Sequence, residues 1–426
     1  MKKLILFVVK LLFIQNLKML QAERIAIVWE SETGGGVNSY LRYLLQSKAF
    51  IAKQITIFTN STNEGAKFLI KDLKQNKNIK FIFFKSFFVK KRNIFAKSFF
   101  YFLKPIFLII SIFKFKKILS NFKFDVLLCE CGNYGIFRSE QAAILAAKKT
   151  NIPVKSIVVH HACVKPPRFM GVVFKIIDFF LSKNLTSLIA VSNATKETLL
   201  NNSNLLKSDK LKSYIIHNGV PKNEFPRKNY LNIEIIKNND KVFKIGMVSR
   251  LSPDKGHEDL IIAFSKLPSE YQKKMVIIIT GEDEKGQKKR LKNLISNLNL
   301  DNKIEFLDYV DMDSKKIILS LDLVLSLTRE YEGFGLSIAE AMSVGTPVLA
   351  TNVGGVKEFF NSDCGKLIKP REIDEIKDSL INFCDYKKFW DDKAQIAKAR
   401  IEKYFNAEIM GNNYMKHLSL KLTEAK

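Results

Sequence analysis

Glu332 and Glu340 stand eight positions apart and enclose Gly333-Phe-Gly335-Leu-Ser-Ile. The two glycines permit a tight turn, so the backbone amides near Phe334, Gly335 and Leu336 can open the helix that the following apolar pattern predicts. A free helix N-terminus carries unpaired N–H groups and a positive dipole end, which makes it an anion site. Glu332 then sits in the loop and Glu340 in the first helical turns, both facing one cleft. The plainer alternative has Glu340 capping its own helix and Glu332 solvated. A second group, Arg250-Leu-Ser-Pro-Asp-Lys255-Gly256, puts two cations into one loop. From a strand end they would clamp a diphosphate from two sides; as plain surface cations they would do nothing.

Other patterns fit less well. Asp311-Met-Asp313 spells the metal motif DxD, but it precedes a helix in a polar turn, away from the strand ends. Glu332 and Glu340 read as a hydrolytic acid and base leave Arg250 and Lys255 without a task. Five cysteines, Cys129, Cys131, Cys163, Cys364 and Cys384, form an odd set with no CxxC knot, so a reducing compartment is expected and neither a disulfide framework nor a zinc cage.

Aiming these loops requires strands. The β-branched run Glu23–Trp29 leads into a glycine loop and then the helical pattern Tyr40–Leu45, and strands recur at 54–59, 79–84, 126–129, 154–160, 187–191 and 214–217. After the polar stretch Pro221–Asp240 the alternation restarts, with strands at 243–249, 275–280, 303–306, 323–326 and 348–351. The expected fold is α/β, with two Rossmann-like, doubly wound parallel-sheet domains facing across a cleft. The divisions are an apolar, basic extension at 1–21, domains at 22–235 and 236–400, and a helix over 401–426 that returns to the first domain. The extension is interrupted by Lys10 and Lys18, which favours an interfacial helix over a signal or a span.

The formal charge of +27 is lopsided. Residues 1–235 hold 38 Lys and Arg against 13 Asp and Glu, while the rest of the chain is nearly neutral. Within it, residues 81–124 carry ten Lys or Arg, no acid, and 14 of the 34 phenylalanines. Single-strand nucleic-acid binders use isolated aromatics on a sheet rather than such a dense Phe/Ile/Leu cluster. The segment fits an anionic membrane surface better, with packed core and nucleic acid as the alternatives.

In the order of their motifs the passages resemble a family, the retaining nucleotide-sugar glycosyltransferases of family 4. The matches are Gly34-Gly-Gly-Val37, Val159-His-His161, Ala190-Val-Ser-Asn193, Ile216-His-Asn-Gly-Val220, the Arg250…Lys255-Gly256 loop, Glu332…Glu340 and Val353-Gly-Gly355; departures fall at Asn38, Glu282-Asp283 and Asp308. The resemblance implies the GT-B architecture. It assigns Arg250 and Lys255 to the donor diphosphate, Glu340 to the ribose, Glu332 to the transferred sugar, and Gly35 and Gly36 to close backbone approach from the other domain. His161, ahead of His160, falls at the catalytic cleft. No cofactor and no metal are expected, and no nucleic-acid partner. The implied activity is transfer, with retention, from a nucleoside diphosphate sugar to a lipid-linked glycan or lipid in surface polysaccharide or lipopolysaccharide synthesis, on the inner face of the cell membrane. A hydrolysing nucleotide-sugar epimerase and a sugar-nucleotide sensor are the alternatives.

Overall fold

The computed structural model describes residues 20–31, 35–88, 94–207, 210–225, 230–231, 242–284, 286–307 and 314–425. The expectations for residues 1–19, for Asp308 and for Asp311-Met-Asp313 lie outside these, as does most of the stretch between the domains.

The first sheet has seven strands: β1 (Arg24–Trp29), β2 (Gln54–Asn60), β3 (Ile79–Phe84), β4 (Val126–Cys131), β5 (Val154–Val159), β6 (Ser187–Ala190) and β7 (Ser213–Ile215), in the order β3-β2-β1-β4-β5-β6-β7. The second has six: β8 (Phe243–Val248), β9 (Met275–Thr280), β10 (Ile304–Leu307), β11 (Leu323–Ser326), β12 (Val348–Thr351) and β13 (Lys366–Ile368), in the order β10-β9-β8-β11-β12-β13. Every pairing is parallel, and the central strands β4 and β9 are buried along their whole length. That is why they read as unbroken apolar runs rather than alternating ones. The strand β13 was not expected; its three residues are too short for a periodic signal.

In each sheet the strand order reverses at the first strand, between β1 and β4 and between β8 and β11. A doubly wound sheet opens a crevice at that switch point, beyond the carboxyl ends of its strands. The loops leaving β1, β8 and β11 are the ones that carry Gly35 and Gly36, Arg250 and Lys255, and Glu332.

The boundary expected at 401 falls within the helix Lys387–Tyr404; the chain turns at Phe405-Asn406, and the last helix is Ala407–Ala425. The turn is hydrogen-bonded to the first domain on both sides, Val220 N donating to Phe405 O and Ala407 N to Val220 O, each at 3.0 Å. Tyr414, Leu418 and Leu422 bury themselves against that domain with Tyr40, Leu41 and Leu44, and His417 Nε2 lies 2.9 Å from Ser187 Oγ.

The described side chains of the basic segment divide between core and surface. Residues Ile94–Ser120 form one helix containing Pro105. Leu108, Phe115 and Leu119 are buried under it, whereas Ile106, Ile109, Ile110 and Phe113 are exposed. All five cysteines are free thiols.

Candidate active site

Lys255 ends a 3-10 turn, Pro253–Lys255, just beyond β8. Gly256 follows at φ 77°, and a Cβ there would meet Leu327 O at 2.2 Å, so the turn is pressed against the end of β11. Lys255 Nζ consequently reaches Glu332, donating to Oε2 at 2.7 Å, while Thr328 Oγ1 lies 3.4 Å from the same oxygen. Burial would push the Glu332 carboxyl up, but Lys255, His161 and Thr328 together hold it below the usual glutamate value. Glu332 is therefore ionised at neutral pH and acts as a hydrogen-bond acceptor, not as an acid. The solvated alternative does not hold.

His161 faces this pair from the first domain, edge-on to Tyr331 with ring centroids 5.0 Å apart. Burial lowers its pKa, so the ring is neutral at pH 7, and its Nδ1 has no hydrogen-bond partner among the described residues. His160 turns the other way. Its Nε2 lies 2.7 Å from Glu130 Oε2 and its ring packs 4.3 Å from that of Tyr40, which makes it a residue of the first domain's interior.

Gly335, at φ 103°, starts the helix Leu336–Val344 with no side-chain cap. The leading amides of that helix have no partner within it. Phe334 turns its ring inward, stacked 4.4 Å from Phe359. A Cβ on Gly333 would lie 1.9 Å from His160 O, so at this point the two domains touch backbone to backbone. Gly35 comes close to Arg250, a Cβ on it standing 3.9 Å from Arg250 Cδ, whereas Gly36 faces open space. Arg250 itself donates to Glu284 Oε2 at 3.1 Å and is half exposed at the rim of the cleft.

Glu340 does not cap its helix. It is buried and accepts a hydrogen bond at 2.7 Å from Tyr43 Oη, on the first domain's helix Gly36–Gln46. Tyr43, Tyr331 and Glu358 were not singled out from sequence, and Glu358 is the most consequential of them. From the short helix Val356–Phe359 it crosses to the first domain, where its carboxylate accepts from Asn193 N at 2.9 Å, Asn193 Nδ2 at 3.0 Å and Ala194 N at 2.9 Å, with His217 Nε2 at 2.9 Å. It thus occupies the N-terminus of the helix Asn193–Asn202. The available signal was an acid three residues after Gly355 and a serine-led helix start at Ser192.

Burial works against the Glu358 charge, but His217 and the helix amides outweigh it and take the carboxyl to about 2. A free glutamate titrates near ~4.3. The folded value is the lower one, so the contact contributes fully above about pH 4.3 and is lost as pH falls toward 2, with about 3 kcal/mol at stake. Wild-type protein should therefore outlast Glu358→Gln in urea at pH 7, and the difference should shrink steadily toward pH 3. A gap independent of pH would separate Glu358 from this role.

Residues 231–401 match the family model described as glycosyl transferases group 1. The match covers the second sheet and the helices around it. An uncharacterised glycosyltransferase of Methanocaldococcus jannaschii is 32% identical over 44% of this chain, a stretch that spans 48% of that relative, about half its length. The Escherichia coli UDP-Gal:alpha-D-GlcNAc-diphosphoundecaprenol alpha-1,3-galactosyltransferase is 27% identical over 65% of this chain and 70% of its own. Among solved structures, an Anabaena protein in complex with UDP and glucose superimposes with a TM-score of 0.69, covering 93% of this chain and 99% of its own at 20% identity. That likeness extends the fold to both domains: the chain has the GT-B architecture of glycosyltransferases, and residues 231–401 are the part that matches the group 1 model.

Proposed function

We propose that the protein is a retaining glycosyltransferase that moves one sugar from a nucleoside diphosphate sugar to a lipid-linked glycan or lipid, as a step in surface polysaccharide synthesis. The observation that carries this is the Lys255–Glu332 pair lying beside the uncapped N-terminus of Leu336–Val344 and facing His161 across the cleft. When the bond to the sugar breaks, negative charge builds on the diphosphate. Lys255, Arg250 and the helix amides are fixed positive partners for it. Glu332, already ionised, accepts hydrogen bonds from the sugar hydroxyls. Neutral His161 offers its free Nδ1 to the same sugar from the opposite side. Glu340, held by Tyr43, lies one turn further in, where the nucleoside would sit.

Retention follows if the acceptor attacks on the face the leaving group vacates, its proton passing to the departing phosphate. Hydrolysis by a carboxylic acid and base would leave Arg250 and Lys255 without a task. A lipid-linked acceptor is supported by the name of the E. coli relative. Among the described residues no helix is long and apolar enough to cross a membrane, and contact with the inner leaflet is placed on the basic first domain.

Incubation with radiolabelled nucleotide sugars and a polyprenyl-linked acceptor should move label into lipid with the anomeric configuration kept. Free epimerised sugar, or donor binding without turnover, would replace this reading with the epimerase or the sensor. Because Arg250, Lys255 and the amides already supply a positive field, turnover should survive EDTA. Loss of activity restored by a divalent ion would bring Asp311-Met-Asp313 back into question.

A further inference from the structure

Three helices lie side by side on one face of the first sheet: Ile94–Ser120, Ser139–Ala146 and Gly171–Asn184. The middle one is almost wholly buried. The outer two each turn a continuous apolar stripe to solvent. On the first, Ile106, Ile109, Ile110 and Phe113 repeat at helical spacing; on the second, Val172, Ile176, Phe179 and Phe180 do the same, with Phe169 leading into it. These are not grazing exposures, since Phe113 and Val172 are each 68% exposed and Phe169 61%. Stripes this large on a soluble surface mark a contact.

Charge identifies what makes the contact. Lys116, Lys117, Lys165, Arg168, Lys175 and Lys183 are exposed around the stripes, and Lys183 Nζ sits 3.9 Å over the Phe179 ring. No acid occurs between Leu73 and Phe124. From Gln141 to Lys196 there is one, Asp178, and it is buried, accepting from Tyr134 Oη at 2.6 Å and from Asn204 N at 2.7 Å. An apolar stripe ringed by cations alone matches the headgroup and acyl boundary of an anionic bilayer. A second copy of the same face would oppose cation to cation.

We propose that these two helices form a single membrane-docking platform, in which Gly171–Asn184 inserts its apolar stripe alongside that of Ile94–Ser120. This rests on, and deepens, the membrane contact proposed above by giving it a defined face on two separate helices. Both helices start at the carboxyl edge of the sheet, after β3 and β5, which is the edge that carries the cleft. A docked platform therefore holds the mouth of the cleft at the lipid surface, where an acceptor on a lipid carrier is presented.

The test is sedimentation with phosphatidylcholine vesicles, with and without phosphatidylglycerol, at low and high salt. The triple variant Ile176→Ser/Phe179→Ser/Phe180→Ser should bind anionic vesicles on the order of a hundredfold more weakly, at roughly a few-fold to tenfold per exposed side chain. It should stay folded with a cooperative melt, because about half of each side chain is exposed and none of the three belongs to the core cluster beneath. Phe389→Ser, an equally exposed change on the second domain, should bind as wild type does. Lys175→Gln/Lys183→Gln should weaken binding and flatten its salt dependence. Wild-type vesicle binding by the triple variant would overturn the proposal, as would a concentration-dependent dimer that the triple variant dissolves. Vesicle binding is read without any sugar donor, so failure of the transfer reaction would leave this result standing, and the reverse.

Discussion

Lys255→Ala should lower kcat/KM for sugar transfer by roughly 30- to 1000-fold, the cost of about 2–4 kcal/mol of lost transition-state stabilisation. Two effects combine. The leaving diphosphate loses a cation, and Glu332 loses the hydrogen bond at 2.7 Å that holds it ionised. With Lys255 gone, burial is the largest influence left on the Glu332 carboxyl, and its pKa moves up. The residual activity of the variant should therefore rise with pH through a higher midpoint than that of the wild type. Glu332→Gln should lose a similar factor and show no such midpoint. Both variants should remain folded, because Lys255 and Glu332 lie in the cleft and neither belongs to a hydrophobic cluster. A pH–rate profile of each protein on a water-soluble acceptor is the measurement, and near-normal turnover by either variant would remove that residue from the site.

The second large effect is expected from a single methyl group. Gly333→Ala places a Cβ where His160 O already stands, 1.9 Å away, with the His160 carbonyl carbon at 3.0 Å. Neither partner is the end of a flexible side chain, so backbone must move at the boundary, and a shift of one domain against the other relieves the collision. Such a shift separates His161 from Glu332 and strains the Glu358 contact to Asn193 and Ala194 at the same interface. A 1 Å misplacement of reacting groups costs about a hundredfold, and a displaced domain costs more. Transfer by Gly333→Ala should fall at least that far, while small-angle scattering shows a larger radius of gyration. Unchanged scattering and normal turnover together would show that the domains meet elsewhere during the reaction.

Most inner strands were legible because they are buried on both faces and appear as apolar runs, and Met275–Thr280, Leu323–Ser326 and Val348–Thr351 have the very limits expected; the edge strand Ile79–Phe84, mostly unburied, was legible from its aromatic and β-branched residues. The loop residues Lys255 and Glu332 were legible as well, since glycine spacing and strand ends locate them. What escaped were pairings across the interface. Tyr43 and Glu340 are 297 positions apart and Glu358 and Asn193 are 165 apart, and no local pattern brings such residues together. The stripe on Gly171–Asn184 escaped for a different reason. Its residues GVVFKIIDFFLSKN are apolar on both faces, and only the packing of Phe174, Ile177 and Leu181 inward shows which half is left outside.

The return of the helix Ala407–Ala425 to the first domain bears on how the chain is made. That domain's wall is completed by Tyr414, Leu418 and Leu422, which leave the ribosome only after the entire second domain has been synthesised. Until then the face of Gly36–Gln46 that they cover stays open, and the first domain exists as an unfinished half. The nascent protein thus finishes its earliest-made part last, and the two halves mature as one unit.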